Sequence, residues 1–434
     1  MERSWENLFM EKTDIRYRTF IDILKEELVP AMGCTEPISL AYAASKARAV
    51  LGSLPDKIVV YASGSIIKNV KSVVVPNTNG LKGISAAVAA GAYAGDETKE
   101  LEAIAFVTEE QKDGIQEYLE KTPIDVQYLK SDHVFHLMVD VYSEEHVVRV
   151  EIVDTHRNIV LIQKDDEVIF KKNIGKVEVK TTRDYSSLTM ENIWDFVQSL
   201  DVEDVREVLQ RQIDYNMAIA KAGLEGDWGA NIGSTLLAAY GDDVRTCAKA
   251  NAAAASDARM NGCELPVIIN SGSGNQGITC SVPVITYARY LDCSEEKLFR
   301  ALVLSNLTTI HQKSMIGTLS AFCGVVSASA SAGAGIAYLL TESYDDVVHT
   351  VVNTLAIVSG IICDGAKPSC AAKIAESVDA AILGYHMFKN GQQFLGGDGI
   401  VVKGVENTIA SVGILGKDGM KETNEKIIQL MVKN

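Results

Sequence analysis

No C-x-x-C pair occurs among the eight cysteines of this chain, which stand at positions 34, 247, 263, 280, 293, 323, 363 and 370. That absence removes thioredoxin-type redox chemistry, zinc ribbons and ferredoxin-type clusters. The histidines form no H-E-x-x-H pattern, and no EF-hand spacing surrounds Glu225-Gly226-Asp227. No Gly-Lys-Ser/Thr follows the glycine-rich loop at Ser271, so it is not a phosphate P-loop. Basic charge is in deficit: 41 Lys and Arg face 57 Asp and Glu, a net charge of −16. Such a surface repels phosphate backbones and anionic lipids, which argues against nucleic-acid and membrane partners. Met1 to Lys12 carries charges of both signs and no apolar h-region. A cytoplasmic location with reduced thiols is therefore expected, and metal or catalytic roles for cysteine gain weight over disulfides.

Apolar residues make up 47% of 434, enough for one large domain or two to three ordinary ones. Ser314 to Thr341 holds no charged residue and is long enough to span a bilayer. Its Ser, Ala and Gly content, as in Ser327-Ala328-Ser329-Ala330-Ser331-Ala332-Gly333, reads instead as a close-packed core helix.

The pattern predicts an α+β fold in three parts. Residues 1–54 hold helices over 14–29 and 38–51, joined by the loop that carries Cys34 and packed on the catalytic domain. Residues 55–182 form an α/β domain with a mixed sheet. Strands are expected at 58–61, 73–75, 103–107, 133–141, 147–153 and 158–163, with helices at 83–95 and 109–121. A charged linker follows over 180–187. Residues 183–434 form a helical catalytic domain of buried small-residue helices, beginning with a helix over 192–212.

Three stretches are unusual for scaffold. Cys363 and Cys370 bracket a turn forced by Gly365 and Pro368, and Cys323 begins a Gly/Ala/Ser helix. Thiolate, the ligand form, is favoured at a helix start, so the three sulfurs could hold three irons of a [4Fe–4S] cube. Three inert core cysteines would show the same spacing. Ser271-Gly272-Ser273-Gly274-Asn275-Gln276-Gly277 offers backbone N–H groups, hydroxyls and amides to a small anion such as a carboxylate, or simply caps a helix. Cys34, in Gly33-Cys34-Thr35-Glu36-Pro37, has a helix-start position that lowers a thiol pKa; thiolate base, nucleophile, cluster ligand and loop cysteine all remain open. His311 is an acid/base candidate or a polar residue at a helix end.

Together, Met32-Gly33-Cys34-Thr35-Glu36-Pro37, Ser271 to Gly277, Gly317 to Gly324 and Cys363-Asp364-Gly365 with Cys370 resemble the iron–sulfur L-cysteine desulfidases. These share their catalytic domain with the iron–sulfur L-serine dehydratases, and the match runs over nearly the whole chain. The resemblance implies a [4Fe–4S] cluster on Cys323, Cys363 and Cys370 with one iron left for substrate. It also implies that Cys34 is a catalytic thiol, standing where the serine enzymes carry a Ser-Ser-Ser-His-Thr-type loop. The expected reaction is β-elimination of L-cysteine to pyruvate, ammonia and sulfide without pyridoxal phosphate. Thr35, Ser271, Ser273, Asn275 and Gln276 would bind the amino acid, with Cys34 and His311 as proton-transfer groups. Neither Lys313 nor Lys367 stands out as a Schiff-base lysine. A possible homodimer is the only macromolecular partner expected. L-serine or another β-substituted amino acid is the alternative substrate. An iron–sulfur sensor without turnover and a metal-free binding protein are the readings outside this enzyme class.

Overall fold

Two large hydrophobic cores and a small third one, around Leu236, Ala250 and Ala371, divide the chain. The structure is a computed structural model that describes residues 10–172, 185–317 and 320–433. Met1–Phe9, most of the 180–187 linker and Thr318-Leu319 before Cys323 lie outside the described residues.

The strands are β1 (Pro30–Met32), β2 (Lys57–Ser63), β3 (Ile124–Leu129), β4 (His136–Ser143), β5 (His146–Val153), β6 (Ile159–Lys164), β7 (Glu167–Lys171) and β8 (Pro266–Ile268). β1 and β8 form a separate antiparallel pair; the other six make one mixed sheet in the order β3-β2-β4-β5-β6-β7, parallel only between β2 and β3. Alternation sets its inner face: Leu137, Val139 and Val141 of β4 are buried directly opposite Ile152, Val150 and Val148 of β5. The edge strands β3 and β7 are largely exposed, so they lack the alternation by which a strand is read.

Residues 73–75 and 103–107 do not form the strands their β-branched composition suggested. The Asn77 side-chain amide takes the Ile104 and Ala105 carbonyls at 2.8 and 3.3 Å, which removes acceptors a ladder would need. Val74 makes only a lone bridge, to Lys82.

The helices are α1 (Ile15–Glu27), α2 (Thr35–Leu51), α3 (Gly64–Val70), α4 (Gly83–Ala94), α5 (Glu109–Lys121), α6 (Met190–Ser199), α7 (Arg206–Glu225), α8 (Ile232–Tyr240), α9 (Val244–Met260), α10 (Gly274–Tyr290), α11 (Glu295–Ile316), α12 (Gly324–Thr341), α13 (Tyr344–Val358), α14 (Cys370–Lys389), α15 (Val405–Ile414) and α16 (Lys421–Lys433). The helix read over 192–212 is two helices. Asp201 accepts from the Glu203 N–H and starts a 3₁₀ turn that separates α6 from α7.

The fold is α+β: α2–α5 pack with the sheet, while α6, α7 and α9–α15 form the helical core. The N-terminal helices part company, since α1 joins the helical core and α2 the sheet core. The chain crosses from one to the other through β1 and Cys34. One helix among the described residues, α12, is long and apolar enough to cross a membrane, and 83% of it is buried inside the protein. Its small residues admit four neighbours: a Cβ on Gly333 would press on Thr350 of α13 and Ala381 of α14, and one on Gly335 on Val284 of α10 and Ala301 of α11.

Candidate active site

The three cysteines of the helical half are brought together by a short ladder and two helix starts. Phe322 and Ile362 form an antiparallel bridge; the Cys323 N–H donates to Ile361 O at 3.1 Å and the Cys363 N–H to Ala321 O at 2.6 Å. Cys323 is the N-cap of α12, and Cys370 is the first residue of α14. Helix α13 stops at Val358, so Cys363 lies in an extended segment beyond it. Gly365 has φ +96°, and a Cβ there would sit 2.0 Å from the Lys68 carbonyl oxygen of α3. The cysteine loop is thus pressed onto the sheet half at a point that only glycine permits.

Electrostatics make this cluster unlike a set of core thiols. The Cys363 thiol is held well below the ordinary range by the hydrogen bond from Cys323, against the cost of burial and with help from Lys68. Cys323, the donor, is pushed well up by that same bond and by burial. Cys370 is raised by burial. Lys68 is 1% exposed and Lys313 9%, and among the described residues neither pairs with a carboxylate. The Lys68 ammonium donates to Asn424 Oδ1 at 2.7 Å and to Cys363 O at 3.4 Å, and that of Lys313 to Gly317 O at 3.0 Å. Burial lowers both lysines, while the sulfurs of Cys363 and Cys323 support their charge. Asp364 is taken up by Lys367 and Lys373.

Two buried lysines share one low-pKa thiol here, a costly arrangement that burial already pushes toward the neutral amines. The N-terminus of α12, whose N-cap Cys323 makes no side-chain cap bond, adds more positive potential. This surplus fits an anionic group held by thiolates. Among the described residues no three His, Cys, Asp or Glu side chains gather tightly enough for a single metal ion. Three thiols, one buried and two half-buried, are the kind of donor set that an iron–sulfur cluster takes.

From the sheet half comes Cys34, the N-cap of α2, buried and 5% exposed. Its Sγ donates to Glu36 Oε2 at 2.8 Å, and Asn69 holds Glu36 Oε1 at 3.0 Å. Thr35 Oγ1 reaches Glu36 Oε2 at 3.4 Å. The helix start does not make Cys34 a thiolate: burial first, then the Glu36 charge, pushes its pKa well up. Burial also works against the Glu36 carboxylate, but His156, Cys34, its own N–H and Asn69 outweigh it and lower its pKa. His156 is itself lowered by burial, so its charge supports Glu36 chiefly in acid. The pair rests as thiol and carboxylate.

The glycine loop joins the two halves. The β1–β8 ladder ties the strand before Cys34 to the strand before Ser271, with Ile269 N–H donating to Val29 O at 3.0 Å. Ser271 turns back to Asn270 Oδ1 at 2.8 Å, and Ser273 is the N-cap of α10 without a side-chain cap bond. Asn275 and Gln276 lie inside the first turn of α10, so half of the expected loop is helix. The Gln276 amide lies over Gly324, next to Cys323, where a Cβ would meet it at 2.7 Å. Asn275 Oδ1 accepts from Arg259 Nη1 at 3.1 Å. Arg259 is 4% exposed and sits near enough to lower the Cys34 pKa.

His311 is turned away. Lys313, two residues on and therefore on a different face of α11, looks toward the cysteines. His311 Nε2 is 2.8 Å from Glu406 Oε2 of α15. Glu36, Asn69, Lys68, His156 and Arg259 were missed as site residues. Arg259 left a trace in the sequence, since Asp257 and Arg259 follow closely on the run Ala252-Ala253-Ala254-Ala255.

Buried Lys68 thus feels both the cysteine group, through Cys363, and the thiol–carboxylate pair, through Glu36. The sequence matches the serine dehydratase alpha chain family over residues 98–429. It is 58% identical to a UPF0597 protein of Desulfitobacterium hafniense, over 98% of this chain and 99% of that one. Identity is 52% to a UPF0597 protein of Lachnoclostridium phytofermentans (96% and 100% covered) and 43% to one of Fusobacterium nucleatum (95% and 98%). The chain belongs to the serine dehydratase alpha chain family, an iron–sulfur-associated family of lyases. The three clustered cysteines and Arg259 lie within the matched span; Cys34 lies before it.

Proposed function

We propose that this chain is a lyase that eliminates the β-substituent of L-cysteine, releasing sulfide, pyruvate and ammonia. The observation that carries this reading is the meeting of two thiol systems: the Cys323–Cys363–Cys370 group with its unpaired lysines, and the Cys34–Glu36 pair. Cys323, Cys363 and Cys370 would hold a [4Fe–4S] cluster, which supplies an open iron as Lewis acid for the leaving group.

The rest is done by side chains. Donors at the start of α10 face the substrate carboxylate, with Thr35 closing the opposite side. Cys34 Sγ receives the α-proton as its own proton passes to Glu36 Oε2, so the thiol works as a base without first becoming a free thiolate. Lys68 and Lys313 offset the negative charge that builds as hydrosulfide departs. The resulting aminoacrylate tautomerises and hydrolyses to pyruvate and ammonia. Burial of Cys34 and Cys323 keeps water from the α-carbanion.

L-serine dehydration is a second reading, favoured by the name of the matched family. Parallel anaerobic assays of pyruvate from L-cysteine and L-serine, with sulfide measured in the first, decide between them. Higher kcat/KM for L-cysteine supports the proposal; the reverse order moves the assignment to L-serine.

A further inference from the structure

Arg259 is a buried cation that the proposed proton transfer does not use. It stands in the last turn of α9, where its guanidinium meets the first turn of α10. Nη1 donates to Asn275 Oδ1 at 3.1 Å, a neutral acceptor, and Nε is buried with no hydrogen-bond partner. Among the described residues no carboxylate pairs with it. A buried guanidinium with an unmatched N–H is costly, and native proteins satisfy such groups.

Its surroundings reinforce the demand for an anion. Gly274 lies so close that a Cβ there would come within 2.3 Å of Arg259 Nε. Glycine at this position therefore lets the guanidinium lie against the end of α10. The opening N–H groups of a helix have no intrahelical acceptor, and Ser273 does not cap them with its side chain. The partial positive charge of that helix end and the full charge of Arg259 thus face one point, beside Cys34. Carboxylate is the anion whose two oxygens match an Arg fork, and an adjacent helix end can serve one of them as well.

We infer that Arg259 and the uncapped N-terminus of α10 form the subsite for the α-carboxylate of an amino-acid substrate, holding the α-carbon against Cys34. This assignment rests on the amino-acid lyase reading for its ligand, and on geometry alone for its charge. It accounts for the loop's composition: Ser273 and Gly274 leave the helix end open, while Asn275 orients the guanidinium rather than touching substrate.

The test uses L-alanine, which keeps the carboxylate and amine and lacks a leaving group. Its affinity is measured by calorimetry on the anaerobic full-length protein, beside that of L-alaninamide, whose carboxylate is replaced by a neutral amide. L-alanine binds the wild type and L-alaninamide binds at least tenfold more weakly. Arg259→Gln weakens L-alanine by about a hundredfold, with iron content and unfolding temperature unchanged, and raises KM for L-cysteine more than it lowers kcat. Equal binding of the two ligands by the wild type overturns the subsite without recourse to any variant. So does a folded Arg259→Gln protein that binds L-alanine normally. Should no amino acid turn over while L-alanine binding still depends on Arg259, the lyase reading falls and the carboxylate subsite stands.

Discussion

The Cys34 thiol donates to the Glu36 carboxylate across 2.8 Å, and Asn69 fixes the other carboxylate oxygen at 3.0 Å. Glu36 is lowered and Cys34 raised, so at neutral pH the proton sits on sulfur and the charge on oxygen. Turnover should be supported above the Glu36 pKa and fall as pH drops through it. In Glu36→Gln the thiol keeps at most a hydrogen-bond acceptor and has no carboxylate to take its proton. Activity at pH 7 should fall by about 10²–10⁴-fold and climb only in the alkaline range, where Cys34 ionises on its own. A pH profile of kcat for both proteins reads this directly; identical profiles would remove Glu36 from the proton path.

Cys34→Ala separates proton transfer from cluster holding. The variant should keep the iron content of the wild type and lose about 10²–10⁴-fold in kcat. Parallel loss of iron would instead make Cys34 a ligand.

Gly365→Ala tests how the cysteine loop is held. At φ +96° and 2.0 Å from Lys68 O, the added methyl has no place to go without moving α3 or the loop. The expected loss is about 1–3 kcal/mol, with less iron retained per chain after anaerobic gel filtration. Full iron at unchanged stability would mean that the loop relaxes freely.

His311→Gln should leave kcat unaltered and lower stability by about 1–3 kcal/mol, because it removes the imidazole that pairs with Glu406 Oε2 on α15, leaving that carboxylate only the Met190 N–H on its other oxygen. Chemical denaturation and steady-state rates measure the two effects separately. A large fall in kcat with stability intact would return His311 to the chemistry.

Much of the site was legible in the sequence because local rules place it. Cys34, Ser273, Cys323 and Cys370 each stand at a helix start, where Gly, Pro or Ser punctuates the chain. The counter-charges were not legible. Lys68 and Arg259 reach the site from helices about 300 and 225 residues from Cys370 and Cys34, a rough separation that no local pattern encodes. The protonation of Cys34 was misjudged for a related reason. Helix-start logic weighs only the backbone dipole, whereas burial and Glu36 dominate here. In the fold, alternating strands at 58–61 and 147–153 were readable, while the exposed edges β3 and β7 carry no buried face to leave a pattern.

In the proposed reaction the chain's activity resides in a cluster on Cys323, Cys363 and Cys370. This is tested most directly by anaerobic turnover of L-cysteine in samples loaded with graded iron and sulfide, each sample assayed for iron per chain. Sulfide and pyruvate should form in equal amounts, at rates proportional to cluster content, and Cys363→Ser should lose iron and rate together. Full turnover in an iron-free sample would contradict the account.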